Sequence, residues 1–153
     1  MQVDKVYKTK SDKDTQELGE DFAKEILNLP KKDDAIVIGL SGNLGGGKTT
    51  FLQGFAKGLG IKEKVLSPTF LILKKFEIRN SKSEFTNFYH IDCYRLKNEK
   101  DILELGWKEI ISDPKNIVAV EWPEIIKKAL PKNIIEINFN FAAENTREIN
   151  FKK

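Results

Sequence analysis

Gly42-Asn43-Leu44-Gly45-Gly46-Gly47-Lys48-Thr49 is a full match to the pattern GxxxxGK[ST]. Each residue type in it has a physical task. Glycine permits backbone conformations closed to other residues, so successive N–H groups can converge on phosphate oxygens. A helix that starts where such a loop ends turns the positive end of its dipole toward the same anion. Lysine adds a mobile charge for the β and γ phosphates, and the hydroxyl that follows is a ligand for Mg²⁺. The stretch therefore points to a phosphate-binding loop, a P-loop, with Lys48 on the phosphates and Thr49 at the metal.

The flanks supply the context such a loop requires. Ala35-Ile-Val-Ile-Gly-Leu40 precedes it, a nearly continuous apolar run of the kind buried on both faces of a parallel sheet. Behind it, Phe51, Leu52, Phe55, Ala56 and Leu59 form one helical stripe over 49–59, and Gly60 is placed to end that helix. Upstream, residues 6–10 suggest a short strand. Leu18, Phe22, Ile26 and Leu29 predict an amphipathic helix over 14–29, with Ser11 or Asp12 as its cap.

Downstream, 69–79 and 85–92 are expected to be paired strands joined by the polar Asn80 to Glu84. A helix follows over 99–111, capped by Asn98 and interrupted at Gly106. Ile117 to Glu121 is another buried-type strand, Pro123 opens a short helix that stops before Pro131, and 134–141 with 147–151 form a closing hairpin. Strands alternating with helices predict an α/β fold in three layers, a central mixed β-sheet flanked by helices.

At 153 residues, the chain is expected to form one domain over 1–153, with enough length to bury a core. There is no repeat, no low-complexity tract and no apolar run of bilayer length. The opening MQVDKVYKTK lacks an apolar stretch behind its lysines, and one cysteine cannot form an internal disulfide. A soluble, cytoplasmic protein is the expectation. The net charge of +3 is a solubility statement, since the lysines are spread along the chain. Arginine is scarce: only Arg79, Arg95 and Arg147 occur.

A P-loop needs a metal-side carboxylate at the end of a neighbouring strand. Two acids qualify: Glu121, which ends the run Ile117 to Val120, and Asp92, which follows Phe88-Tyr-His-Ile91. Magnesium keeps several waters and takes few protein ligands, so one of them can act through water. Ser67-Pro-Thr-Phe70 stands where many P-loop enzymes carry a switch segment, and Thr69 has a hydroxyl to offer there. Trp122 is suited either to stack on a base or partner, or to fill the core. For His90 a structural role is expected, and Cys93 lacks the partners of a nucleophile. Arg95 is the nearest arginine in sequence to these acids, with a surface ion pair as its ordinary use.

GNLGGGKTT, SPTF, HIDCYRL and VEWPE, in this order and at these separations, resemble the TsaE (YjeE) family, the bacterial P-loop ATPases required for threonylcarbamoyl modification of tRNA adenosine 37. The resemblance covers essentially the whole chain and includes Thr15 and Leu18-Gly19 in the first helix. It implies ATP held by Asn43, Leu44, Gly45, Gly46, Gly47, Lys48, Thr49 and Thr50, with Thr69 and Trp122 beside it. It also implies Mg²⁺ served by Thr49, Asp92 and Glu121, and catalysis by Lys48, Glu121 and Asp92.

The implied partners are TsaB and TsaD, with tRNA engaged indirectly and neither DNA nor membrane expected. Hydrolysis would drive or reset that cycle rather than transfer the group. Two positions depart from the usual family loop GDLGAGKT: Asn43 replaces the aspartate and Gly46 the alanine. Losing a carboxylate at 43 bears on turnover more than on binding. With so few arginines, low activity in isolation and stimulation by a partner are expected. The competing readings are a small-molecule kinase using the same loop, which the lack of an arginine-rich lid disfavours, and a nucleotide-gated binding module.

Overall fold

The apolar run ahead of the glycine loop forms a strand at the heart of a seven-stranded sheet. The structure is a computed structural model and describes residues 4–43, 45, 47–66, 72–80 and 82–152. In chain order the elements are β1 (Lys5–Thr9), α1 (Asp12–Leu27), β2 (Ile36–Gly42), α2 (Lys48–Gly58), β3 (Leu73–Glu77), β4 (Asn87–Asp92), α3 (Glu99–Leu103), α4 (Trp107–Ser112), β5 (Asn116–Glu121), a 3₁₀ helix (Pro123–Ala129), β6 (Ile135–Ala143) and β7 (Thr146–Lys152). The strands lie in the order β1-β7-β6-β2-β5-β4-β3. Strand β2 runs parallel to both β5 and β6, and β4 runs parallel to β5. Antiparallel partners close the two edges, β3 on β4 and the β6–β7 hairpin with β1 beyond it.

The two faces of the central strands explain the three layers. Ile36, Ile38 and Leu40 of β2, with Ile117 and Ala119 of β5, bury against Phe22, Phe51 and Phe55 of α1 and α2. The alternate residues Val37, Val118 and Val120 bury against Ile102, Trp107, Ile110 and Ile126 on the other face. A strand apolar at every position is the expected signature of burial on both sides.

Several boundaries differ from the sequence pattern, for local reasons. Helix α1 starts at Asp12 because the Ser11 side chain accepts the Asp14 amide. The helix expected over 99–111 is two helices, since Gly106 takes a left-handed conformation (φ 81°) between them. The short helix after Pro123 has 3₁₀ geometry. The first hairpin strand spans Leu73–Glu77, and the beginning of the 69–79 prediction lies outside the described residues.

Helices α1 and α2 meet at backbone distance. A Cβ on Gly54 would overlap the Gln16 carbonyl, and one on Gly19 would overlap the Phe51 carbonyl. The aromatic rings beside this contact lock it, with Phe22 at 6.0 Å from Phe51 and 5.7 Å from Phe55. Neither helix can retreat without opening that cluster. Gly54→Ala is therefore expected to lower stability by about 3 kcal/mol, as overpacking against rigid backbone does. In urea denaturation the midpoint should fall while the m value stays unchanged.

Candidate functional site

The carboxyl ends of the parallel strands gather the residues that carry charge. Strand β2 ends at Gly42, where a Cβ would run into the Phe139 carbonyl of β6, so only glycine lets the chain leave the sheet there. The loop re-enters regular structure at Gly47, whose φ of 99° is left-handed, and α2 begins at Lys48. Thr49 and Thr50 occupy the first turn, half-buried, while Asn43 and Gly45 are exposed. Leu44 and Gly46 lie outside the described residues, as do Thr69 and the whole Ser67 to Phe70 segment.

Lys48 is only 5 % exposed. Its ammonium donates to the Gly42 carbonyl at 2.8 Å and lies 4.0 Å from the centre of the Trp122 ring, a cation–π contact. Burial draws its pKa below the usual lysine value, while the charges of Glu121, Asp92 and Glu124 oppose the shift.

Asp92 and Glu121 are the last residues of β4 and β5 and stand opposite one another in the parallel register. Both therefore share a face of the sheet with Phe88 and Ala119, the face that carries α2. Burial pushes the Asp92 carboxyl above the usual range, and Glu121 adds to that shift. The Tyr94 amide, 2.9 Å from Oδ1, works against it. Glu121 is buried and its Oε2 lies 2.7 Å from Nε2 of His90.

Trp122 follows directly. It is one of two non-glycine residues with positive φ among those described (58°). That conformation costs an L-residue roughly 1–2 kcal/mol. It turns the chain from β5 into the 3₁₀ helix and sets the indole between Lys48 and Tyr94, whose ring centre is 5.1 Å away. Trp122 thus touches the loop lysine directly.

Two participants escaped the sequence reading. His90 is the partner of Glu121, and the available signal was its position two residues before Asp92, on the same side of a strand. Arg147, at the start of β7, lies against the loop: a Cβ on Gly47 would sit 2.9 Å from its Cδ. Its NH1 donates to Asp12 Oδ1 at 2.8 Å and to Thr15 Oγ1 at 3.3 Å, and Thr15 bonds Thr9. Nothing in the spacing links Arg147 to the loop, and Arg95, the arginine nearest the acids in sequence, is exposed. A cavity of about 180 Å³ opens beside Arg147, lined by Lys10, Ser11, Asp12, Phe141 and Asn145 among others.

As donors, the acids and Thr49 offer oxygen only. Among the described residues no group of three or more His, Cys, Asp or Glu is arranged to hold a metal by itself. Oxygen donors in small number suit magnesium, which draws most of its shell from water and phosphate.

Comparison with known proteins gives a consistent answer. The family profile described as "Threonylcarbamoyl adenosine biosynthesis protein TsaE" matches residues 9–149. The chain is 35 % identical over 144 residues to the tRNA threonylcarbamoyladenosine biosynthesis protein TsaE of Rickettsia typhi, covering 94 % of this chain and 91 % of that one. It is 39 % identical over 115 residues to the protein of the same name from Bacillus subtilis, covering 75 % of this chain and 68 % of that one. The crystal structure of Bacillus subtilis YdiB superposes with a TM-score of 0.75 at 31 % identity, over 99 % of this chain and 86 % of that one. The three-layer α/β fold and the resemblance drawn from the motifs both stand.

Cys93, next to Asp92, is fully buried, and burial pushes its thiol up to about 12. Only a thiolate alkylates readily. Iodoacetamide at about pH 8 is expected to leave Cys93 untouched in the folded protein and to label it fully in denaturant, read by intact mass.

Proposed function

The chain belongs to the TsaE family, and from that premise we propose that it binds Mg-ATP at the glycine loop and hydrolyses it in support of threonylcarbamoyl modification of tRNA. The observation that carries this reading is the buried Lys48 at the start of α2, electrostatically coupled to Asp92 and Glu121 at the ends of β4 and β5. A buried ammonium facing two carboxylates at the open end of a parallel sheet is suited to phosphate and a divalent cation.

In this reading the loop amides from Asn43 to Thr50 and the Lys48 ammonium hold the phosphates. Thr49, Asp92 and Glu121 would hold Mg²⁺, which when bound supplies charge neutralisation at the γ phosphate. One of the two acids orients the attacking water. Glu121 is preferred for that task, because its carboxylate is pinned by His90, whereas Asp92 sits half-buried with one oxygen on the Tyr94 amide. Trp122 keeps Lys48 dry and directed, and Thr69 completes the switch side. The cavity beside Arg147, with the exposed Phe141 ring on its wall, offers space for the nucleoside end.

TsaB and TsaD are the proposed partners, with tRNA reached through them, in the cytoplasm. No helix among the described residues is long and apolar enough to cross a membrane. Arg147 is engaged by Asp12 and Thr15, so the arginine nearest the loop is already committed to holding structure. That arrangement supports the reading of slow turnover in isolation.

The test is phosphate release from Mg-ATP by the purified chain, alone and with TsaB, TsaD and tRNA. Slow release alone and faster release in the complex are expected. Lys48→Ala should lower turnover at least about 100-fold in both settings. Wild-type hydrolysis in that variant would sink the reading. ATP binding without release, even in the full complex, would leave a nucleotide-gated binding module, and a phosphorylated small product would indicate a kinase.

A further inference from the structure

His90 is the only histidine in the chain and is 1 % exposed, inside a sheet where Lys74 of β3 stands across from it and Asp92 follows on the same face. On its own face of β4 the preceding residue is Phe88, and across the parallel register stands Ala119. Burying an imidazole in such surroundings costs a few kcal/mol unless it is hydrogen-bonded. A leucine or phenylalanine would fill the same space without that cost. The bond that compensates it goes to Oε2 of Glu121, at 2.7 Å and equally out of reach of water.

The direction of this bond follows from chemistry. A carboxylate can only accept, so with Glu121 ionised the proton sits on Nε2 and the imidazole donates. A glutamate side chain has three rotatable bonds, and an unheld carboxylate samples several positions. Here one oxygen is fixed by a rigid ring on the adjacent strand, which leaves the other oxygen with a defined place relative to Lys48. Lys48 in turn feels Glu121 as the largest of the charges that support its ammonium.

We infer that His90 is the positioning residue for Glu121: it donates Nε2–H to Oε2 and so holds the carboxylate in the one orientation that serves the γ-phosphate side of the site. This rests on the ATPase reading above. His90 acts through Glu121 and does not touch the nucleotide. Supporting groups of this kind around ligating or catalytic side chains are typically worth 10- to 100-fold in affinity or activity.

The experiment has two arms. The first is independent of turnover. Because there is one histidine, ¹H–¹⁵N NMR of the imidazole gives a single set of signals. A slowly exchanging, strongly deshielded Nε2–H is expected in the wild type, moved upfield and exchanging faster in Glu121→Ala, and perturbed when Mg²⁺ with a non-hydrolysable ATP analogue is added. Absence of that proton in the wild type, or its survival unchanged in Glu121→Ala, overturns the inference whatever the enzyme assay gives.

The second arm compares His90→Leu with His90→Gln in the partner-stimulated phosphate-release assay. His90→Leu is expected to lower kcat by about 10- to 100-fold with KM for ATP within about threefold. His90→Gln, whose side-chain N–H can reach the same oxygen, should recover most of the loss. Full activity in His90→Leu, or equal impairment of both variants per folded molecule, contradicts the proposal. A purely structural histidine would lower thermal stability and leave kcat of the folded fraction intact. Should the wild type release no phosphate under any condition, the ATPase reading falls, while the NMR arm still decides whether His90 holds Glu121.

Discussion

The backbone contact between α1 and α2 is the constraint on which the site depends. Gly19 of α1 and Gly54 and Gly58 of α2 leave no room for side chains, so the two helices touch along their carbonyls. Phe22, Phe51, Phe55 and Phe151 then close over the contact as one aromatic cluster. Each buried aromatic contributes on the order of 2–3 kcal/mol, enough to offset the conformational cost of three helical glycines at about 1 kcal/mol each. The functional consequence lies at the end of α2. Lys48 opens that helix, and its position is inherited from where α1 lets α2 lie.

The same helix pair reaches the loop a second way. The first turn of α1 presents Asp12 and Thr15, which hold Arg147 of β7, and Arg147 packs on Gly47. The left-handed Gly47 is thus supported by an arginine anchored to a different helix from the one it precedes. On the opposite flank of β2, the ends of β5 and β4 carry Glu121 and Asp92. The loop is braced from β7, with Glu121 at the end of the adjacent β5 and Asp92 one strand further. Inside that frame, charge is unbalanced: two carboxylates share a half-buried space with one ammonium, and burial raises one carboxyl while lowering the lysine. A divalent cation and a phosphate chain would offset both penalties at once, which is why the arrangement suits the two together better than either alone.

Much of this was legible in the sequence because it was written locally. The loop pattern, the buried runs ending in Leu40 and Glu121, and the phenylalanine stripe of α2 each follow from short-range spacing, and the sheet assembled from them has the expected three layers. Asp92 and Glu121 were recognisable as strand-end acids, although that they stand side by side depends on β4 pairing with β5, which no local pattern states. What stayed hidden was non-local. The Arg147–Gly47 contact joins the closing hairpin to the loop, and the His90–Glu121 bond joins two strands separated by two helices. A histidine in an apolar strand has no periodicity to reveal its partner, and glycines in a helix look like poor helix formers until the neighbouring backbone is seen against them.

Trp122 shows how the strained and the charged parts of the site are connected. A residue with side chain at φ 58° persists only where its surroundings repay the strain. Here the compensation comes from three directions: the Trp122 amide donates to the Leu40 carbonyl of β2, the indole packs at a tilt against Tyr94, and its face receives the Lys48 ammonium. The turn that costs energy in the backbone is the turn that delivers an aromatic face to the lysine. A helical or extended Trp122 would carry the indole elsewhere and take its ring face from the buried ammonium. Arg147, meanwhile, is engaged by Asp12 and Thr15 of α1. The chain thus holds its lysine by aromatic contact and by the Gly42 carbonyl.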